Sequence, residues 1–270
     1  MRKDSNHHDP VTPVAHSKRR TFLKASLAAT AAPLVLTPGK TRAQPTPLPP
    51  SPPTTPWVED LPNQVTPLTP LATLTPAPTL NANIAGGECG RAPHQRYAEL
   101  TVPGKAGTPL LYQLTAKENP AWLFNGNNPY YPPQPIWGYE GNTPGVTTPG
   151  PTIHARYGQS VICRIRNQLP QNHTGFGSPE ISTHLHNMHT PSESDGFASD
   201  FYSAVQGGVT LTAPGTFNDH FYPNLYAGFD EFGGLGDSRE ALGSLFYHDH
   251  TEGVTAPNVL KGLVGRYMLF

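Results

Sequence analysis

The chain has 270 residues, of which 33 are proline and 26 are glycine, while only 36% are apolar. Proline lacks an amide donor and glycine lowers helix propensity, so this composition disfavours long helices and favours turn-rich β structure with extended loops. The net charge is −1, and acidic residues outnumber basic ones after residue 44, which argues against nucleic acid as a partner.

The first 44 residues carry eight Lys or Arg side chains against two Asp. Arg19 and Arg20 precede Phe22-Leu23-Lys24, and a run rich in Ala and Thr follows from Ala25 to Leu36. That run is too short for a stable membrane span. The pattern resembles a bacterial twin-arginine export signal. We therefore expect residues 1–44 to be this signal and the protein to be periplasmic or secreted; a basic tail without a targeting role is the alternative.

A proline-rich segment comes next. Twelve of the 34 residues from Pro45 to Pro78 are proline. Such a composition is typical of extended, polyproline-like chain without a core of its own. We expect residues 45–90 to form an extended linker or strap, disordered like the signal before it, and residues 91–270 to form the folded domain.

From Arg96 onward, short apolar runs alternate with turn signals such as Pro103-Gly104 and Pro149-Gly150. Many short strands at this spacing predict an all-β, antiparallel sandwich. The predicted strands are Tyr97–Val102, Leu110–Ala116, Ile136–Tyr139, Thr152–Arg156, Ser160–Asn167, Ile181–His186, Val209–Thr212, Phe217–Tyr222, Leu245–His248 and Leu263–Phe270. In Ser160–Asn167 the apolar residues Val161, Cys163 and Ile165 share one face.

The chain has two cysteines, Cys89 in a Gly-rich loop and Cys163 inside a predicted strand. Their positions leave open both a disulfide and two separate thiols.

Two His-x-His pairs are the main chemical signal, His184 with His186 and His248 with His250. In a strand, residues i and i+2 project from one face about 6–7 Å apart, which suits two neighbouring metals or two edges of a cluster. One pair is weak evidence, but two equal pairs at the ends of predicted strands indicate a metal site. Neutral imidazoles favour copper or zinc. Core packing of the four histidines is the alternative.

The segments around both pairs resemble the multicopper oxidases, in particular their spore-coat-laccase and bilirubin-oxidase branch. The resemblance covers about Trp57 to Phe270 and implies a cupredoxin-like Greek-key β-sandwich. It rests on the opening segment Thr148–Ile153, on Thr183–His186 followed by Ser192–Gly196, and on Phe246–His250 followed by Asn258-Val259 and Gly262–Gly265.

The resemblance implies a role for each histidine of the two pairs. His184 would ligate a type 2 copper, and His186, His248 and His250 would ligate a type 3 pair. These are half of the ligands of an oxygen-reducing trinuclear cluster. Asp195 matches an acidic residue that assists proton delivery while O₂ is reduced to water. By its own context, Ser-Asp-Gly, Asp195 is equally well explained as a turn residue.

Two local features complete this picture. The family usually has Gly after the first His-x-His pair, whereas this chain has Asn187, which tolerates a left-handed backbone better than most residues. Other histidines match no motif, and we expect them to be ordinary surface or turn residues: His154, His173, His189 and His220.

The blue copper site of the family needs a Cys flanked by histidines, and neither Cys89 nor Cys163 has a flanking histidine. We therefore expect a fragment of a laccase-like oxidoreductase, inactive alone, whose missing C-terminal cupredoxin domains would supply the blue copper and the remaining ligands. The complete enzyme would oxidise a small reducing substrate and pass its electrons to O₂. A non-enzymatic periplasmic copper-binding or scaffold protein is the alternative. A zinc hydrolase fits the histidine pairs but not the segments around them.

Overall fold

The computed structural model describes residues 67–95, 109–124, 132–226, 237, 239 and 242–270. The predicted export signal, the first part of the predicted linker and the predicted strand Tyr97–Val102 lie outside these residues. All of the described residues fall within one compact unit.

Short β-strands dominate the described part of the chain, as composition predicts. The strands are β1 (Leu110–Trp122), β2 (Gln134–Glu140), β3 (Gly150–Ala155), β4 (Val161–Asn167), β5 (Thr183–His186), β6 (Phe217–Tyr222), β7 (Ser244–Asp249) and β8 (Val264–Leu269). Within the described residues, one α-helix, α1 (Thr255–Lys261), lies between β7 and β8, and single 3-10 turns occur at Ile84–Gly86 and Ser192–Ser194.

The strands form two four-stranded sheets, one in the order β2-β1-β4-β6 and the other in the order β3-β8-β7-β5. This confirms the predicted all-β, cupredoxin-like sandwich. The antiparallel prediction is wrong for two strand pairs, because β1 runs parallel to β4 and β3 runs parallel to β8. Parallel neighbours need a long connection that crosses between the ends of the strands. Here the chain makes that connection through the intervening strands, β2 and β3 for the first pair and β4 to β7 for the second.

The main core lies between the two sheets. It contains the inward residues of β4 that the alternation predicts, Val161, Cys163 and Ile165, together with buried aromatic residues such as Trp137 and Tyr247. Ile162, on the opposite face of β4, is also buried, in a second and smaller cluster with Leu74 and Phe221. Both faces of β4 are therefore covered.

The cover on the outer face of β4 is a segment of the proline-rich region, residues 67–79. Its backbone joins the domain through Leu71, whose N–H donates to the Leu111 carbonyl at 2.7 Å. Beneath it, Arg164 and Asp219 form a fully buried ion pair with two hydrogen bonds of 2.7 Å. The Arg164 guanidinium also donates to the Pro76 carbonyl at 2.8 Å. The segment therefore packs on the sandwich and completes the burial of this pair.

Two local features differ from the sequence-based expectation. The predicted strand Val209–Thr212 is a turn, in which the Leu211 N–H donates to the Gly208 carbonyl and Val209 is 91% exposed. Helix α1 was not predicted from the sequence, because Pro257 lies within it and proline usually breaks a helix. Proline is tolerated in a first helical turn, where the amide donors have no intrahelical partner. Neither α1 nor any other helix of the described residues has the length and apolar character to cross a bilayer.

Candidate metal centre

The two His-x-His pairs lie on neighbouring antiparallel strands of one sheet. β5 is the edge strand beside β7, and their register places His184 directly opposite His248. The His184 ring centroid lies 5.5 Å from that of His186, 5.5 Å from that of His248 and 5.3 Å from that of His250. The structure therefore brings together all four histidines singled out by the sequence.

Hydrogen bonds fix the orientation of two of these rings. The His184 Nδ1–H donates to the Asp195 carbonyl at 2.5 Å, and the His248 Nδ1–H donates to the Asp249 carbonyl at 2.7 Å. With the proton on Nδ1, the lone pair of each ring lies on Nε2, where it can bind a metal. This is the usual arrangement of a metal-binding histidine. His186 Nδ1 lies 3.4 Å from His248 Nε2. One ring nitrogen from each of His184, His186 and His248 lies within 4.8 Å of the others.

His250 lies beside this group of three nitrogens. Its ring centroid is 5.8 Å from that of His248, and its backbone N–H donates to the Ser182 carbonyl at 2.7 Å. Its Nδ1 is buried and makes no hydrogen bond. Buried imidazole nitrogens are normally paired, so this one is a candidate metal donor. Burial, and then the neighbouring imidazoles, lower the pKa of His248 and favour the neutral form that binds metals.

An aromatic ring covers the outer side of the cluster. Phe246 stacks on His186 with centroids 4.5 Å apart and an interplanar angle of 15°, and it also stacks on His248 at 5.2 Å. The His186 ring is therefore held by stacking, whereas His184 and His248 are held by backbone carbonyls.

Asp195 lies next to His184, as the resemblance implies. Its Oδ1 lies 3.4 Å from His184 Nδ1 and accepts a hydrogen bond from the Thr190 hydroxyl at 2.6 Å. Burial opposes ionisation, but the hydrogen bonds from His184 and Thr190 outweigh it and lower the pKa of Asp195. The same contact raises the pKa of His184 against its burial. Asp195 is thus an ionised, half-exposed carboxylate in contact with a cluster histidine.

Gly196 makes this approach possible. Its φ is 72°, and a Cβ on it would lie 2.2 Å from the Thr183 carbonyl oxygen and 2.6 Å from the His184 nitrogen. Only glycine fits, so the turn can press Asp195 against β5. Asn187, which follows the first pair, has a φ of 70°, the left-handed conformation that its residue type tolerates.

The sequence analysis missed Asp249, the residue between His248 and His250. Its carboxylate is fully buried and accepts hydrogen bonds from Ser182, Thr251 and Asn258. Burial raises the pKa of Asp249 to about 6, although these donors oppose the shift.

One histidine outside the cluster was assigned wrongly. His220, expected at the surface or in a turn, is buried in β6, where its Nδ1–H donates to the Ser194 carbonyl at 3.0 Å. Burial lowers the pKa of His220 to about 4. The strand Phe217–Tyr222 is buried along its whole length, so alternation gives no sign of which side His220 faces.

Both cysteines are free thiols buried in the main core. Burial strongly raises the pKa of each thiol. Metals bind the thiolate rather than the thiol, so neither side chain is poised as a copper ligand. The question that sequence left open is answered in favour of two separate thiols.

The donor set fits a metal. Three imidazole nitrogens converge, a fourth is buried without a partner, and the tautomers of two rings are set by backbone carbonyls. Imidazole ligands suit copper and zinc rather than calcium or magnesium. Fold and site together define a cupredoxin-like domain with a histidine cluster that could hold a metal ion.

Known proteins place this domain more narrowly, although no protein-family model matches the sequence. A multicopper oxidase of Arabidopsis thaliana is 33% identical over 162 residues, which make up 55% of this chain and 24% of that protein. The laccase of Bacillus subtilis is 31% identical over 51% of this chain and 26% of its own length. Bilirubin oxidase of Albifimbria verrucaria is 31% identical over 49% of this chain and 17% of its own length.

These relatives confirm the resemblance drawn from the sequence: over about half of its length, the chain is similar to multicopper oxidases. It spans about a quarter of the length of the curated relatives that it matches. Among solved structures, a multicopper oxidase from Pseudomonas thermotolerans superposes with a TM-score of 0.39 at 22% identity, over 61% of this chain and 30% of that one.

Proposed function

We propose that the chain forms the first cupredoxin domain of a laccase-like copper oxidoreductase. His184 would bind at the type 2 site, and His186, His248 and His250 would bind the type 3 pair. The observation that carries the proposal is the cross-strand pairing of His184 with His248, which gathers three imidazole nitrogens within 4.8 Å. Similarity to the multicopper oxidases supports copper rather than zinc.

Copper, when bound, would supply one-electron redox chemistry and a site for O₂. The chain's own residues have three tasks. The carbonyls of Asp195 and Asp249 orient His184 and His248. Phe246 shields the outer side of His186. The Asp195 carboxylate can take up a proton at Oδ1, where Thr190 holds it in place, and release it beside the cluster.

Four histidines are half of the ligand set that the resemblance implies. We propose that further cupredoxin domains supply the other ligands and the blue copper, since both thiols here are buried and protonated. The partners of the complete enzyme would be O₂ and a small reducing substrate. The twin-arginine pattern at residues 17–24 supports export to the periplasm or beyond. The same buried thiols also suit the second candidate function, a copper-binding protein without oxidase activity.

Copper stoichiometry tests the site. We expect the purified chain to bind copper and His248→Ala to lose most of it, because the His248 ring lies within 6 Å of the other three cluster rings. His173→Ala is the matched control, since His173 packs on Trp137 with ring centroids 4.8 Å apart and is not part of the cluster. The measurement is metal analysis after dialysis against dilute copper. Equal copper content in wild type and His248→Ala would contradict the proposed site.

A further inference from the structure

Asp249 separates the two ligands of the second histidine pair, and its carboxylate points away from them into the protein. Oδ1 accepts hydrogen bonds from the Ser182 N–H at 2.9 Å and from the Thr251 hydroxyl at 2.8 Å. Oδ2 accepts from the Thr251 N–H at 3.2 Å and from Asn258 Nδ2 at 3.0 Å. The residue is fully buried, so its four bonds replace water completely.

These bonds join the two halves of the histidine cluster. Ser182 lies two residues before His184, and Thr251 directly follows His250. A backbone bond of 2.7 Å, from the His250 N–H to the Ser182 carbonyl, lies beside the carboxylate contact. The two contacts link Ser182 to residues 249 and 250, so they fix the end of β7 against the chain entering β5.

The third partner anchors the carboxylate to the helix. The Asn258 side chain is itself fixed at both ends, since its Oδ1 accepts from the Ser178 N–H at 2.9 Å and its Nδ2 donates to the Ser178 carbonyl at 3.1 Å. Asn258 cannot turn its amide around without losing both bonds. It therefore presents a fixed donor to Asp249.

A carboxylate is the group that this position requires. Each oxygen faces at least one group that can only donate, the Ser182 N–H at Oδ1 and the Thr251 N–H and Asn258 NH₂ at Oδ2. Only a carboxylate offers acceptors on both sides. Asparagine has nearly the same shape, but its NH₂ would replace one of the two oxygens. In place of Oδ1 it would face the Ser182 N–H and the Thr251 hydroxyl, and in place of Oδ2 it would face the Thr251 N–H and the Asn258 NH₂. Leaving buried donors opposed in this way is costly.

We propose that Asp249 is a positioning residue for the metal centre, holding the His184/His186 pair and the His248/His250 pair in one fixed arrangement. Its metal-binding consequence rests on the proposed function, whereas its structural consequence holds for the copper-free protein. Groups that orient metal ligands typically change affinity ten- to a hundredfold when they are replaced.

The first measurement is copper binding by Asp249→Asn. We expect affinity for Cu(II) to fall about ten- to a hundredfold, and the electron paramagnetic resonance spectrum at saturating copper to become heterogeneous. A residue that served stability alone would leave that spectrum unchanged at a temperature where the variant is folded. Asp200→Asn is the matched control, because Asp200 also accepts a hydrogen bond from a threonine hydroxyl, that of Thr210, in a surface loop.

The second measurement needs no metal. In copper-free Asp249→Asn, the amides of Ser182 and His250 should exchange with deuterium at least about tenfold faster, while those of β1 and β4 keep their rates. Thr251→Val removes one of the four donors without changing side-chain shape, and it should move both readouts in the same direction by a smaller amount. This variant decides the matter if Asp249→Asn does not fold.

The outcomes separate the two proposals. Unchanged spectra and unchanged exchange in both variants would overturn the positioning role. If the wild type binds no copper, the proposed function fails, while the exchange rates still show whether Asp249 holds the two strands together.

Discussion

At the residue scale, the cluster histidines differ in what holds their rings. His184 and His248 donate to backbone carbonyls, which no side-chain substitution removes, whereas His186 depends on the ring of Phe246. Phe246 is 38% exposed, so its loss should cost the fold little. Its substitution therefore separates ligand orientation from stability.

We expect Phe246→Leu to weaken copper binding about two- to tenfold, because an aromatic contact contributes about 0.5–1.5 kcal/mol beyond its buried area. Isothermal titration with Cu(II) measures the change, and the unfolding midpoint should hardly move. Phe176→Leu is the control, since Phe176 is 55% exposed and lies near Lys261 instead. An equal loss of affinity in both variants would show that stacking on His186 has no part in binding.

His220 gives a prediction for pH. Burial lowers the pKa of His220 to about 4, whereas an unfolded chain takes up the proton near pH 6.5. Between these values the unfolded state binds more protons, so the free energy of unfolding falls as pH falls, by at most about 3 kcal/mol from this group. Above pH 6.5 both states are neutral and the contribution is constant.

His220→Asn isolates this effect. The asparagine amide can still donate to the Ser194 carbonyl, as His220 Nδ1 does, but it does not titrate. We expect the variant to be less stable at pH 7 and to lose less stability than wild type between pH 6.5 and pH 4, measured by urea unfolding of copper-free protein. Parallel curves for the two proteins would mean that His220 is protonated in the fold.

The four histidines and Asp195 could be found from sequence because spacing and flanking residues mark them. Asp249 could also have been found. In a strand, a residue between two outward-facing histidines must point inward, and a carboxylate inside a sandwich must have partners. The sequence does not identify those partners. Ser182 is distant from Asp249 in the chain, and Asn258 belongs to a helix that the sequence did not predict.

At the scale of the elements, the 67–79 segment is a structural part of the sandwich. It contributes Leu74 to the cluster with Ile162 and Phe221, and its Pro76 carbonyl accepts from Arg164. The proline content predicted an extended chain but not this packing, because polyproline-like composition describes a backbone shape and not a contact surface. The alternation in β4 likewise predicted one buried face but not the second.

We expect Leu74→Ala to lower the free energy of unfolding by about 2 kcal/mol, the lower end of the range for a buried leucine, because its cluster is small. Leu74 is 5% exposed, whereas Leu80 in the following stretch is 45% exposed. Leu80→Ala should change stability by no more than about 0.5 kcal/mol. Urea unfolding of the two variants checks the difference, and similar values would show that the segment is not held against β4.

At the scale of the whole molecule, the described domain has a candidate metal centre but no poised thiolate among its described residues. The purified 270-residue chain, given copper, should lack the intense absorption of a blue thiolate–copper bond, because both cysteines are buried and protonated. A visible absorption spectrum of the copper-loaded chain tests this. An intense blue band would contradict the assignment of both thiols to the core.

Oxygen uptake tests the proposed division of labour between domains. We expect the chain alone to consume no O₂ with phenolic donors, since half a ligand set lacks the preorganisation that the chemistry requires. Joined to the cupredoxin domains that we propose, it should consume O₂, and Asp195→Asn should then slow uptake while copper content stays unchanged. Sustained uptake by the 270-residue chain would require an electron route that none of the described residues provides.

The pairing of His184 with His248 across β5 and β7 also determines whether folding or metal binding comes first. His186 and His248 are 62 positions apart in the chain, and a slip of one residue in the β5–β7 register would turn His184 and His186 to the opposite face. The site therefore exists only after that long loop has closed and the register is correct. We therefore expect copper to bind after the domain has folded and not to direct its folding. A chain refolded without copper and loaded afterwards should reach the same metal content as one refolded in its presence.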